Sequence, residues 1–225
     1  MKNFVSFLKN IEAAKVISPE IEYSEYVALD LSVTNSELQN HTLETAQDYE
    51  VFIQNQLDLN EGKIMFGGYI ENRNLYKRSS VFKNPDTEER NIHIGLDLWI
   101  NEQASIFAAL EGKIHSFQNN TALGDYGPTI ILEHEIADFK FHTLYGHLSE
   151  ASLEGKKVGD AIQKGQQIAT LGLPPINGDY APHLHFQIII DMEGKFGDYP
   201  GVCSEKTLSF YKENCPDPNW LLKIK

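Results

Sequence analysis

From residue 91 the chain alternates with a period of two. Ile92, Ile94, Leu96, Leu98 and Ile100 are apolar, and between them stand Asn91, His93, Gly95, Asp97 and Trp99. Successive side chains of a strand point to opposite faces, so this is the pattern of a half-buried strand. Further runs of strand texture cover residues 106–117, 129–134, 139–148, 168–172 and 184–191. Glycine-containing turns separate them at Glu111-Gly112, Gly124-Asp125, Glu154-Gly155, Lys164-Gly165 and Asn177-Gly178. Many short strands at near-regular spacing predict a mainly β fold, an antiparallel two-sheet sandwich, and not alternating β and α units.

Upstream the pattern differs. Phe4, Phe7, Leu8 and Ile11 recur at helical spacing, which predicts a first helix over 4–14, ended by Ser18-Pro19. Tyr49, Phe52, Ile53 and Leu57 form one stripe of a second helix, capped at Thr42 or Thr45. Between them Val27, Leu29, Leu31 and Val33 alternate with polar or small residues, as a strand or a packing arm would. Residues 63–69 read as extended and stop at Gly67-Gly68; residues 79–90 are polar, contain Pro85 and read as a loop. The expected organisation is a partly helical N-terminal extension over 1–88 packing on the core, a β core over 89–195, and an irregular tail over 196–225.

Composition narrows the function. Of 225 residues 41% are hydrophobic, enough for a sizeable core. Lys and Arg number 19 against 32 Asp and Glu, a formal net charge of −13. So acidic a chain is not expected to bind nucleic acid or an anionic membrane surface. The N-terminal apolar residues are interrupted by Lys9, Asn10 and Glu12, too early for a signal-peptide core, and no membrane-spanning run follows. A cytoplasmic location is the default expectation. Cys203 and Cys215 are the only cysteines and are expected to be free thiols.

Candidate chemistry centres on Pro182-His183-Leu184-His185-Phe186, which leads into the apolar Ile188, Ile189 and Ile190. On a strand His183 and His185 share a face. His93 and Asp97 lie on the polar face of the first core strand. A straight strand would hold them about 13 Å apart, too far for joint ligation of one ion. Gly95 between them is where the strand can bend. His147 stands in Tyr145-Gly146-His147-Leu148-Ser149, on the face of Phe141, Thr143 and Tyr145 by alternation. Together His93, Asp97 and His185 offer two nitrogens and one oxygen, leaving a fourth position open, which is what a hydrolytic zinc site needs. His147 and His183 are left over and suit proton transfer near neutral pH.

These three motifs, with the intervening Val158-Gly159-Asp160-Ala161-Ile162-Gln163-Lys164-Gly165-Gln166 turn, resemble in order and spacing those of the lysostaphin-type (LytM-domain) zinc metallopeptidases, which cleave short peptide cross-links of bacterial cell walls. The resemblance covers roughly residues 93–190. It implies a LytM-like, duplicated-hybrid-motif-like core of antiparallel strands with one zinc ion in a groove on a sheet. It implies His93, Asp97 and His185 as zinc ligands, and His147 and His183 as the catalytic pair. The expected activity is hydrolysis of amide bonds in short peptides, peptidoglycan-type cross-links or their fragments. The family's loop before the last motif is Gly/Ser/Thr-rich; here residues 173–182 carry Pro174, Pro175 and Pro182, and are expected to wall the groove. Tyr69, Glu71, Arg73 and Tyr76 are expected to pack over it and shorten it.

Two other classes are weighed. Some LytM-like domains are non-catalytic modules that activate other wall hydrolases, but those usually lack the ligands kept here. A phosphate-carrying histidine domain of the related sugar-transport fold also uses two facing histidines; Asp97 and the Tyr-Gly-His motif favour metal. His115, His134 and His142 are read as ordinary strand histidines, His41 as a loop residue and Arg90 as a solvated loop charge.

Overall fold

Alternation sorts the strand residues onto two faces of one large sheet. In β12 (His183–Ile189), Leu184, Phe186 and Ile188 enter the main apolar core, while His183, His185 and Gln187 face the other way. β5 (Leu96–Trp99) does the same: Leu96 and Leu98 are core residues, and Asp97 and Trp99 share the face of the histidines. The computed structural model describes residues 2–41, 43–74, 89–100 and 103–224.

Among the described residues the sheet has eight strands; from β1 (Tyr26–Ala28) and β2 (Ile64–Gly67) at one edge the order is β1-β2-β5-β12-β9-β8-β7-β10. Its central members are β5, β12, β9 (Phe139–Gly146), β8 (Gly127–Ile136) and β7 (Gly112–Asn120), joined antiparallel, with β10 (Ala161–Ile162) at one edge. β6 (Ser105–Phe107) and β11 (Gln167–Thr170) form a second, two-stranded sheet. The fold is thus mainly β, with the expected helical extension. A third sheet was not anticipated: β13 (Val202–Cys203), β4 (Ile92–His93) and β3 (Glu71–Asn72) pair antiparallel.

The extension does more than pack on the core. β1 (Tyr26–Ala28) pairs in parallel with β2 (Ile64–Gly67), and β2 pairs with β5, so the extension prolongs the main sheet beside Asp97. The helix α1 (Lys2–Asn10) buries Phe4 and Leu8 against the core, where Phe4 meets Phe139 and Phe141 edge-on or tilted. The helix α2 (Ala46–Leu59) is capped by Thr45, whose hydroxyl accepts from the Asp48 backbone while Asp48 reaches back. Thr42, Tyr76 and nearly all of the expected 79–90 loop lie outside the described residues. The tail is not irregular: besides β13 it holds the helices α3 (Leu208–Asn214) and α4 (Asn219–Leu222). Both cysteines are buried free thiols. Among the described residues no helix is long and apolar enough to cross a membrane.

Candidate metal centre and cleft

The expected bend is present. The first core strand breaks after His93 and resumes at Leu96, so β4 leaves for the small sheet while β5 stays in the large one. A methyl group on Gly95 would collide with the His185 ring; only glycine lets the chain turn this close to it. The result brings His93 Nε2 to 3.3 Å from Asp97 Oδ1. β12 pairs with β5 so that His185 lies opposite Asp97, with Nδ1 3.1 Å from the same oxygen and 2.9 Å from His93 Nε2.

Hydrogen-bond partners fix which nitrogens carry protons. His93 Nδ1 lies 2.8 Å from the Gly68 carbonyl, which only accepts, so Nδ1 holds the hydrogen and Nε2 is bare. The Gln187 amide donates to the Pro200 carbonyl (3.1 Å) and the Cys215 sulfur (3.3 Å). Its Oε1 therefore accepts from His185 Nε2 at 2.9 Å and leaves Nδ1 bare. Two nitrogen lone pairs and a carboxylate oxygen thus face one another at 2.9–3.3 Å. Lone pairs at that distance repel unless a cation lies between them. Ligands around a tetrahedral zinc ion stand roughly 3.3–3.5 Å apart, so this donor set fits a small divalent ion with minor rotation of the rings. Burial, and then the nearby Arg73, push the His93 imidazole down to about 4, which keeps it neutral and ligand-ready. Burial alone would raise the Asp97 carboxyl, but Arg73, and His93 and His183 once they are protonated in acid, hold it well below the usual carboxylate range.

His147 and His183 stand beside this set, their rings 4.2 Å apart. His183 Nδ1 donates to the Ala181 carbonyl (2.7 Å), and its Nε2 lies 3.8 Å from Asp97 Oδ1. His147 Nδ1 donates to the Asn177 carbonyl (2.8 Å). Both keep Nε2 as a lone pair, and burial lowers both below the ordinary histidine range. His147 does not follow the face of Phe141, Thr143 and Tyr145. β9 ends at Gly146, and His147 takes a left-handed φ of 62°, which turns its ring out of the core and toward the histidines. A non-glycine residue held there is strained, and such strain gathers at functional sites.

Three further residues take part, of which the sequence named only Arg73, as one of the residues packing over the groove. Arg73, 1% exposed, donates from Nη1 to Asp97 Oδ2 (2.6 Å) and from Nε to Glu71 (2.5 Å), and its guanidinium lies over Trp99, which stacks on His183. Gln187 orients His185. Tyr126 packs against His147 and His185, and the Tyr126 oxygen is 3.4 Å from His185 Nε2. Of the residues expected over the groove, Arg73 and Glu71 reach the site, whereas the Tyr69 hydroxyl donates to the Cys215 carbonyl. Asn177 also belongs to the site and comes from the Pro-rich loop, which walls the cleft with Tyr180 and Ala181.

The cleft measures about 860 Å³ including its open mouth. Leu31, Tyr49 and Ile53 of the extension line it, as do Tyr199, Pro200, Gly201 and Val202 of the C-terminal segment. Arg90, expected as a solvated charge, is half-buried and lines it too, with Asp125 and Asp198, whose carboxyls burial raises.

Residues 91–195 match peptidase family M23. Among solved structures, the catalytic domain of the antimicrobial peptidase lysostaphin from Staphylococcus simulans aligns at 24% identity over 76% of this chain and 99% of its own, with a TM-score of 0.40. The catalytic domain of the prophage-encoded M23 protein EnpA from Enterococcus faecalis aligns at 22% over 53% and 85%, TM-score 0.37. A chain of the SpoIIIAH–SpoIIQ complex aligns at 18% over 75% and 98%, TM-score 0.41. No curated protein is a significant match.

Proposed function

We propose that the protein, whose residues 91–195 match peptidase family M23, is a zinc-dependent peptidase that hydrolyses amide bonds in short peptides, such as peptidoglycan-type cross-links or their fragments. The observation that carries this reading is the convergence of three proton-free donors, His93 Nε2, Asp97 Oδ1 and His185 Nδ1, beside two neutral histidines. His93, Asp97 and His185 would hold the ion. Bound there, zinc supplies Lewis acidity and a water acidic enough to ionise near neutral pH.

The chain's own groups supply the rest. His147 and His183 each present a bare Nε2 because a backbone carbonyl occupies Nδ1–H. One takes the proton of the attacking water at Nε2; the other, once protonated, donates from Nε2 to the developing oxyanion or the leaving amine. Trp99 stacked on His183 and Tyr180 edge-on to His147 hold the rings in place. The apolar wall of Leu31, Tyr49, Ile53 and Trp99 excludes water from one part of the cleft. Walls from both the extension and the C-terminal segment suit a short peptide better than a long polymer. A purely binding role would not require two buried, neutral imidazoles with bare Nε2 atoms next to the donor set.

The test is a screen of glycyl and D-alanyl peptides with and without chelator, alongside the metal content of the purified protein. His147→Ala and His183→Ala should each lower turnover about 10²–10⁴-fold while zinc stays bound. Loss of zinc in those variants, or activity that survives chelation, would overturn the assignment.

A further inference from the structure

A second group of donors lies on the same sheet face, toward the far end of β12. Glu133 of β8 sits opposite His142 of β9 in the pairing, and His142 in turn lies opposite Ile189, beyond His185 and Gln187. His115 belongs to β7, where the register slips between Ile114 and Ser116. That bulge sets the His115 ring 4.9 Å from the His142 ring at 75°. Bulges are local devices that re-aim a side chain. One donor atom from each of His115, Glu133 and His142 lies within 4.8 Å of the others. His142 Nε2 lies 3.6 Å from Glu133 Oε2, near the spacing of two ligands on one zinc ion.

We propose that His115, Glu133 and His142 form a second site for a divalent transition-metal ion of the zinc class, separate from the His93–Asp97–His185 centre. Two imidazoles and a carboxylate, buried except for the partly exposed His115, suit zinc, copper or nickel better than magnesium or calcium. Burial keeps both imidazoles below the usual histidine range, so they are neutral at pH 7, and Lys113 and Lys140 keep Glu133 ionised despite its burial. His115 Nδ1 is engaged with the Ser116 hydroxyl at 2.8 Å, which leaves Nε2 for an ion. The buried His142 Nδ1 has no well-formed hydrogen bond among the described residues. Phe196 lies over the His115 ring and covers the cluster from one side.

Lys113 and Lys140 compete for the carboxylate, at 2.8 and 2.9 Å. Both are more than half exposed, so these pairs contribute little and the lysines can swing into solvent. The site is therefore weaker than the first, and removing the lysines should strengthen it.

Untagged protein, stripped with chelator and dialysed against micromolar zinc, should hold two ions per chain by elemental analysis and show two phases by calorimetry. His115→Ala should lose the weaker ion and keep the tighter one. His93→Ala should lose the tighter and keep the weaker. Lys113→Ala with Lys140→Ala should lower the weaker dissociation constant about tenfold, as expected when two neighbouring cations are removed. His142 is buried, so Glu133→Gln, checked for fold by circular dichroism, is the second probe and should match His115→Ala. A single ion in the wild-type protein that His93→Ala removes, or a weaker ion that survives His115→Ala, overturns the second site. Two ions that both survive His93→Ala would overturn the first centre and leave the second standing.

Discussion

Arg73 is the residue whose replacement tests the metal centre most sharply. Its fork holds Glu71 with Nε and Asp97 Oδ2 with Nη1, so the free oxygen of Asp97, Oδ1, is the one turned to His93 and His185. Two effects of removing it oppose each other. Loss of the fork frees the carboxylate to rotate, and losing a group that orients a metal ligand typically costs 10–100-fold in metal affinity, about 1.4–2.7 kcal/mol. Loss of the positive charge favours a cation: a unit charge about 5 Å away at an effective dielectric of about 20 is worth roughly 3 kcal/mol. Arg73→Lys separates the two, because it keeps the charge and cannot grip both carboxylates in one plane. We expect Arg73→Lys to weaken zinc binding about 10–100-fold. Arg73→Met should bind zinc as tightly as the wild type or more so, since the Coulomb gain offsets the lost orientation. Its metal-free form should be destabilised by about 3–5 kcal/mol, the cost of leaving the buried Asp97 without its partner. The assay is competition against a fluorescent zinc chelator, paired with urea unfolding of the metal-free proteins. An unchanged dissociation constant in Arg73→Lys would refute the positioning role, and a metal-free Arg73→Met as stable as the wild type would refute the energetic reading of the buried pair.

Two other outcomes follow from named contacts. Gly95→Ala should keep the β fold by circular dichroism yet weaken zinc binding at least about tenfold, because the added methyl would displace the His185 ring and disturb its orientation by Gln187. His134 lies away from the metal centre, bonded to the Glu111 carbonyl and the Thr143 hydroxyl, and burial holds it at about 4 against 6.5 when unfolded. Between pH 6.5 and 4 the unfolded chain binds the extra proton, so this histidine's contribution is full above 6.5 and is lost as pH falls, by about 3 kcal/mol in all. Urea unfolding at pH 7 and near pH 4.5 should show a smaller pH-dependent loss in His134→Gln than in the wild type; equal losses would remove His134 as the cause.

Period-two alternation was enough to place β5 and β12 and to put Asp97, His183 and His185 on one face, because side-chain direction in a strand is a local property. The bend at Gly95 was legible for the same reason: two candidate ligands four residues apart cannot meet on a straight strand. His147 was assigned to the wrong face by that logic. Alternation holds only while the strand lasts, and the left-handed turn at His147 resets it. The parallel pairing of β1 with β2, and of β2 with β5, left only short extended signals around residues 27–33 and 63–69, since strand pairing is decided by partners distant in the chain. The short helices of the tail escaped because one or two turns carry almost no periodicity. Arg73 was noticed only as part of a polar, aromatic cluster, since no spacing marks one arginine as the partner of a carboxylate 24 residues later. His115 and His142 were read as ordinary strand histidines because their meeting depends on a bulge, which is invisible as a gap in alternation.

The sheet face that carries both donor groups is not one open groove. Ile131, Leu144 and Ile189 lie on it between the two groups, and Met192, Tyr199, Cys203 and Cys215 cover them to form a separate apolar cluster. Covering that stretch removes apolar surface from water, at about 25 cal/mol per Å², so the C-terminal segment is held down by the same burial that builds a core. The Gln187 side chain sits at the boundary, reaching His185 on one side and Pro200 and Cys215 on the other. The segment that closes the groove therefore also orients a proposed metal ligand. Removing it to admit a longer substrate would loosen His185, so cleft length and metal affinity are coupled through Gln187. Gln187→Leu keeps the volume but cannot accept the His185 proton; it should weaken zinc binding about 10–100-fold without opening the cleft. Unchanged affinity in that variant, read by chelator competition, would break the coupling.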